Sequence, residues 1–170
     1  MAWNWRRSLS LVRKPTKCKS QHAVGFPSYT AFPSRALCPR LLDVFTSITC
    51  HSLQTHLRTS LPDIGQVETD EVYVGVDSAG RQYVLPVQAK GHSDEIGVVQ
   101  IEQDLLLCKH HFPNLICKAI AAQFIETDLI ALFEFIEQEN EVKKAQERRY
   151  RLVSASEISD EELVQYSTST

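Results

Sequence analysis

VETDEVYVGVDSAGRQYVLPVQAKG, residues 67–91, contains two strand-like runs joined by a turn, and the expected architecture is built outward from it. The runs 67–76 and 82–90 are rich in β-branched and aromatic residues, which favours strands. Between them, the segment from Asp77 to Arg81 places glycine last in a Ser-Ala-Gly loop. This order suits a type I turn followed by a left-handed glycine, so the stretch predicts a β-hairpin.

Polar side chains are concentrated at the open end of this hairpin. With a three-residue turn, the register places Asp70 opposite Gln88 and Glu68 opposite Lys90. Because facing residues of an antiparallel pair share one side of a sheet, all four side chains are expected on the same face. Burial makes unpaired charge costly, so this end of the sheet is the candidate functional site.

These residue types suit the hydrolysis of a phosphodiester bond at a divalent metal ion. Asp70 offers the hard oxygen that Mg²⁺ prefers, Gln88 offers a side-chain carbonyl, and the backbone carbonyl of Ala89 is a further ligand. Lys90 can orient the attacking water or stabilise charge that develops on the phosphate. The alternative interpretation is an ordinary surface ion pair between Glu68 and Lys90, which contributes about 0.5 kcal/mol.

The segments on either side of the hairpin predict helices. Apolar residues between positions 41 and 56 recur at three- and four-residue steps, which is typical of an amphipathic helix. After the hairpin, Ser93 or Asp94 can cap a second helix that runs to Phe112, because Pro113 ends the pattern.

The remaining sequence predicts three strands and a short helix. The strands cover about 115–125, 129–136 and 142–153, and the last is charged, which fits an edge position. A capping box formed by Ser159 and Glu162 predicts a helix that ends near Tyr166. Residues 41–166 are therefore expected to form one α/β (α+β) domain.

Residues 1–40 differ sharply in charge from the rest of the chain. They contain eight basic residues and no acid, whereas the remaining 10 basic and 21 acidic residues carry a net charge of −11. They also lack a sustained apolar period that could offset the entropy of ordering, which predicts a disordered basic arm. Three explanations remain open: an organelle transit peptide, an arm that binds phosphates, or a tail that is either simply solvated or the remnant of a shortened upstream region.

Several classes of protein receive no support from the sequence. Five cysteines without a C-x-x-C pair or zinc-finger spacing indicate neither a disulfide framework nor a structural zinc, so reduced thiols and a cytoplasmic location are expected. The longest apolar runs are too short to cross a bilayer. The chain contains no Walker loop, G-x-S-x-G elbow or G-x-G-x-x-G motif.

Glu68-Thr69-Asp70 followed by Gln88-Ala89-Lys90, between two predicted helices, resembles the core of the PD-(D/E)xK endonuclease superfamily. The similarity covers about 41–166 and implies a restriction-endonuclease-like mixed sheet flanked by helices. By this resemblance Asp70 is the motif Asp, Gln88 takes the D/E position and Lys90 is the motif Lys. Gln88 is an amide where the family usually has a carboxylate, and Glu68 is the residue that can compensate. The family commonly has three strands before the crossover helix, whereas two are predicted here.

The resemblance also implies an activity and a cofactor. It predicts a Mg²⁺- or Mn²⁺-dependent endonuclease acting on DNA, and the alternative is a catalytically inactive scaffold that binds nucleic acid or a protein partner. Gln100 resembles the helical Gln of some branches, although a plain polar helix position is the other interpretation. His92 and Arg149 are candidate nucleic-acid contacts, against an exposed loop histidine and a solvated edge strand. A homodimer and a missing recognition domain both remain open.

Overall fold

The computed structural model describes residues 22–26, 39–62, 64–91, 93–139 and 141–154. These residues form two helices and eight strands. The helices are α1 (Pro39–Thr46) and α2 (Val98–His111). The strands are β1 (His22–Phe26), β2 (Thr49–Leu61), β3 (Gly65–Val76), β4 (Gln82–Lys90), β5 (Ile116–Cys117), β6 (Ala119–Phe124), β7 (Leu129–Gln138) and β8 (Glu141–Ser154).

All eight strands belong to one mixed sheet. Seven of them follow the order β1-β8-β7-β6-β4-β3-β2, and β5 pairs with β4. β4 is parallel to β5 and β6, and β1 is parallel to β8, whereas the other neighbours are antiparallel. The parallel step from β4 to β6 passes through α2, since parallel strands need a crossover connection. The expected mixed sheet with helices is present, and strand predominates over helix.

The two helices cover opposite faces of the sheet. The core against α1 includes Leu41, Leu42, Phe45, Tyr73, Leu85 and Ile120. The core against α2 includes Val72, Val84, Ile101, Leu107, Cys108 and Ala121. Neighbouring strand residues such as Val72 and Tyr73 therefore point to opposite sides, as strand alternation requires.

The hairpin is confirmed in register and in turn type. β3 and β4 pair antiparallel from Glu71 opposite Val87 to Val76 opposite Gln82, which is the register expected from the turn. Gly80 has a φ of 77°, the left-handed conformation that favours glycine, and its N–H donates to the carbonyl of Asp77 at 3.0 Å.

The predicted helix over 41–56 is wrong beyond its first two turns. α1 ends at Thr46, Ser47 has a left-handed φ of 58°, and β2 begins at Thr49. The Asp43 carboxylate accepts a hydrogen bond from the N–H of Cys50 at 2.7 Å, which turns the chain into the strand. Pairing with β3 along almost all of β2 supplies the backbone hydrogen bonds that a helix would have provided.

Two other boundaries differ from the expectation. α2 begins at Val98 with Gly97 as its N-cap, rather than at a cap formed by Ser93 or Asp94. The C-terminal half of β8 is not at an edge, because Tyr150–Ser154 pairs with β1. The predicted helix near 159–166 lies outside the described residues.

The predicted disordered arm is described only at 22–26 and 39–40. Residues 22–26 form β1, which pairs with β8. The other residues of the arm lie outside the described part of the chain. Neither α1 nor α2 is long and apolar enough to cross a membrane.

Candidate active site

An open cleft lies where β4 ends. Its volume is about 260 Å³, and it is lined by Asp70, Ala89, Lys90, Gly91, Asp94 and Phe124. Ala89 and Phe124 also pack against the core on the α1 side. Asp70 and Lys90 are both half-buried there, so the cleft brings a carboxylate and an ammonium from neighbouring strands together.

A backbone contact holds the Asp70 side chain in the cleft. Asp70 Oδ2 accepts a hydrogen bond from the N–H of Ala89 at 2.8 Å. This bond links β3 to β4 just beyond their last paired residues, Glu71 and Val87, and orients the carboxylate.

Gln88 occupies a different place from the one expected. Its side chain is 2 % exposed, and Nε2 donates to Asp104 Oδ2 at 3.1 Å and to the carbonyl oxygen of Glu68 at 3.2 Å. The amide therefore faces α2, whereas Asp70 faces the cleft. Gln88 and Lys90 alternate onto the same side of β4, whose pairing with β6 is regular there. Asp70 and Lys90 line the cleft together, whereas Gln88 is not among its lining residues.

The alternation of side chains along β3 breaks near Asp70. Thr69 and Val72 both face α2, although three positions separate them and strict alternation would put them on opposite sides. Asp70 lies within this break. His56 of β2 lies opposite Asp70, because its neighbours Thr55 and Leu57 pair with Glu71 and Thr69. His56 has a left-handed φ of 49°, which is unusual for a residue other than glycine.

Asp104 of α2 is a site residue that the sequence interpretation missed. Its side chain is fully buried and accepts a hydrogen bond from Thr69 Oγ1 at 2.5 Å in addition to the bond from Gln88. Burial raises the pKa of the Asp104 carboxyl to about 7; the hydrogen bonds from Thr69 and Gln88 act against this, the charge of Asp70 adds to it, and Lys90 lowers it. The sequence did contain a signal, because Asp104 lies three residues after Ile101 and four before Cys108, on the buried stripe of the helix.

Asp94 is a second residue with an unexpected position. The sequence suggested it only as a helix cap, but it precedes α2 by four residues and lines the cleft. It thereby adds a second carboxylate beside Asp70. The proximity of Asp94 to Asp70 could not be predicted from the sequence, since it depends on the path of the loop between β4 and α2.

The remaining predicted residues lie away from the cleft or outside the described residues. Glu68 is ion-paired with Arg58 at 3.1 Å rather than with Lys90, because the β2–β3 register places Arg58 directly opposite it. Gln100 lies on the first turn of α2, with its side chain folded over Gly97. Arg149 is ion-paired with Glu147 at 3.3 Å. His92 lies outside the described residues.

Comparison with known proteins identifies no relative. No protein-family model, no curated protein and no solved structure matches this chain.

Two of the residues that line the cleft, Asp70 and Asp94, carry carboxylates that could contribute oxygen ligands to a metal ion. Among the described residues, no group of three or more His, Cys, Asp or Glu side chains could hold a metal. Mg²⁺ retains several waters and often binds through only one or two carboxylates together with substrate phosphate. Asp70 and Asp94 supply that number within one cleft, and Ala89 lines the same cleft.

Proposed function

We propose that the cleft hydrolyses phosphodiester bonds of DNA with the help of Mg²⁺ or Mn²⁺. The observation that carries the proposal is that Asp70 and Lys90 line the same open cleft. They supply one carboxylate and one ammonium from adjacent strands. Phosphoryl transfer is helped by these two kinds of group, a ligand for a hard cation and a cation for the developing negative charge.

The residues of the cleft have distinct roles in this proposal. Asp70 and Asp94 would hold the divalent ion, with the carbonyl of Ala89 as a further ligand. When bound, the ion supplies Lewis-acid chemistry at the phosphate. Lys90 orients the attacking water and stabilises negative charge on the phosphate oxygens, while the Ala89 N–H keeps the Asp70 carboxylate in position.

The order of the elements adds support from the resemblance to the PD-(D/E)xK superfamily. The three strands commonly found there before the crossover helix have counterparts in β2, β3 and β4, which lie between α1 and α2. The restriction-endonuclease-like fold is part of the proposal. Gln88 departs from it, because its amide binds Asp104, so Asp94 takes over the second carboxylate in this scheme.

A plasmid-nicking assay with purified full-length protein tests this activity. We expect nicking of supercoiled DNA in Mg²⁺ or Mn²⁺ and none in a chelator. Asp70→Asn and Lys90→Ala should each lower the rate about a hundredfold or more, because each removes a charge from the site of phosphoryl transfer.

The matched control is Glu102→Gln, which removes an exposed carboxylate from α2 outside the cleft. It should nick at the wild-type rate. Metal-dependent nicking that persists undiminished in both Asp70→Asn and Lys90→Ala would refute the assignment.

A second candidate function is a catalytically inactive scaffold that binds nucleic acid. The position of Gln88 favours it, since the residue at the D/E position is an amide bound to Asp104 rather than a ligand in the cleft. Fluorescence anisotropy with labelled DNA in chelator separates the two functions. Tight binding without metal, together with no nicking and no heat of Mg²⁺ binding by calorimetry, would favour the scaffold over the nuclease.

A further inference from the structure

Two cysteine thiols meet between α2 and β5, on the α2 face of the sheet. Cys108 belongs to the buried core of that face, and Cys117 of β5 packs against the same core from a half-buried position. β5 is held there by its pairing with β4, in which Cys117 lies opposite Val84. The two sulfur atoms thus come from separate elements whose positions are set by the sheet.

Cys117 packs against the buried cluster that contains Cys108, so the two thiols lie in the same part of the core. A hydrogen bond with Cys117 and then burial raise the pKa of the Cys108 thiol above its usual range. Cys108 is almost completely shielded from solvent, whereas Cys117 is partly accessible. An oxidant therefore reaches Cys117 first, and Cys108 is the neighbouring thiol that can react with the product.

We propose that Cys108 and Cys117 form a reversible disulfide when the protein meets a peroxide. The Cys117 sulfur attacks the O–O bond of the peroxide, which yields a sulfenic acid and one water. The Cys108 sulfur then attacks the Cys117 sulfur, the S–S bond forms, and the hydroxyl group leaves with the Cys108 proton as a second water. Two thiols and one hydrogen peroxide thereby give one disulfide and two waters.

The bond would join the C-terminal half of α2 to β5 covalently. Cys108 lies one turn after Asp104, the buried carboxyl that binds Gln88 of β4. Oxidation therefore fixes the helix that carries Asp104 against the strands beside it. The inference needs no nuclease activity and does not depend on the proposed function.

Another buried cysteine supplies an internal control. Cys50 belongs to the core on the α1 face, so the sheet separates it from Cys108 and Cys117. A specific reaction should leave it reduced. Cys18 and Cys38 lie outside the described residues, and replacing both with Ser removes competing thiols from the test.

Peptide mapping of the full-length Cys18→Ser/Cys38→Ser protein provides the test. The folded protein is treated with hydrogen peroxide, free thiols are blocked with iodoacetamide, and trypsin is added. Cleavage after Lys90, Lys109 and Lys118 places Cys108 in peptide 91–109 and Cys117 in peptide 110–118. We expect these peptides to appear disulfide-linked, about tenfold above untreated protein, and to separate on reduction with dithiothreitol.

The controls distinguish a site in the fold from random oxidation. Cys50→Ser should give the same disulfide-linked peptides as the parent protein. Cys117→Ser should give no linked peptides, and Cys50 in that variant should still be alkylated by iodoacetamide. The mapping of the protein with Cys50, Cys108 and Cys117 intact decides the matter even if Cys117→Ser fails to fold. Sulfinic acid at Cys117 without the link, unmodified Cys108 and Cys117, or an equal yield of links to Cys50 would overturn the proposal.

Discussion

A carboxyl group without solvent exposure lies between the hairpin and α2. Asp104 is surrounded by donors, Thr69 Oγ1 and Gln88 Nε2, and by the charges of Asp70 and Lys90. Burial dominates, so the proton stays on this group at a higher pH than on an ordinary aspartate. The state of one residue therefore depends on contacts from three separate elements.

The pKa of Asp104 leads to a prediction for stability in metal-free buffer. The unfolded chain loses the proton near pKa 3.8, whereas the folded protein keeps it up to about 7. Between these values the folded state binds more protons, so stability should fall as pH rises. Asp104→Asn removes this dependence of the unfolding free energy on pH. Between pH 3.8 and about 7 the variant should therefore become increasingly more stable than the wild type. At about 1.4 kcal/mol per pKa unit, the difference should reach up to about 4 kcal/mol.

Urea unfolding at closely spaced pH values between 4 and 8 measures this difference. Glu102→Gln, which changes an exposed acid of the same helix, should follow the wild-type curve. Parallel curves for the wild type and Asp104→Asn would contradict the raised pKa.

At the level of elements, β2 depends on a close approach to β3. A Cβ atom at Gly75 would stand 2.5 Å from Ile48 Cγ2 and 2.8 Å from the backbone oxygen of Thr49. Because one of these atoms is backbone, the start of β2 would have to move. The segment 47–56 was predicted as a helix from its spacing of apolar residues, and nothing local in it reports this packing against Gly75.

Gly75→Ala should therefore destabilise the protein by about 1–3 kcal/mol, which is the usual cost of overpacking. Gly91→Ala is the matched control, because the nearest heavy atom to its Cβ would be Asp94 Oδ2 at 3.6 Å, an ordinary contact distance. Thermal and urea unfolding measure both. Equal stabilities for the two variants would mean that β2 can shift at little cost.

For the whole molecule, the distribution of charge opposes the proposed ligand. Residues 41–170 carry a net charge of −11, and DNA is a polyanion, so long-range electrostatics repel the two. The basic residues of the arm are the obvious source of attraction if the arm binds phosphate, which is one of the three explanations that the sequence left open.

Paired substitutions test this role of the arm. Arg13→Gln/Lys14→Gln should weaken DNA binding and lower the slope of log affinity against log salt by about 2, since each phosphate contact contributes about 0.9. Lys143→Gln/Lys144→Gln removes an equal charge from β8, where both lysines are ion-paired with glutamates, and should change the slope less. Anisotropy titrations at several salt concentrations measure both, and identical slopes would point to a transit peptide or a solvated tail.

The sequence by itself determined the hairpin, its register near the turn and the helix after it, because those features depend on Gly80, strand alternation and helical spacing over a few residues. The tertiary structure alone decided that 49–61 is a strand, that Gln88 turns toward Asp104, and that Asp94 joins Asp70 and Lys90 in a cleft. These outcomes depend on backbone pairing and burial between segments distant in the chain. Such contacts can override a local pattern, and the distortion near His56 and Asp70 places Thr69 and Val72 on the same face although three positions separate them.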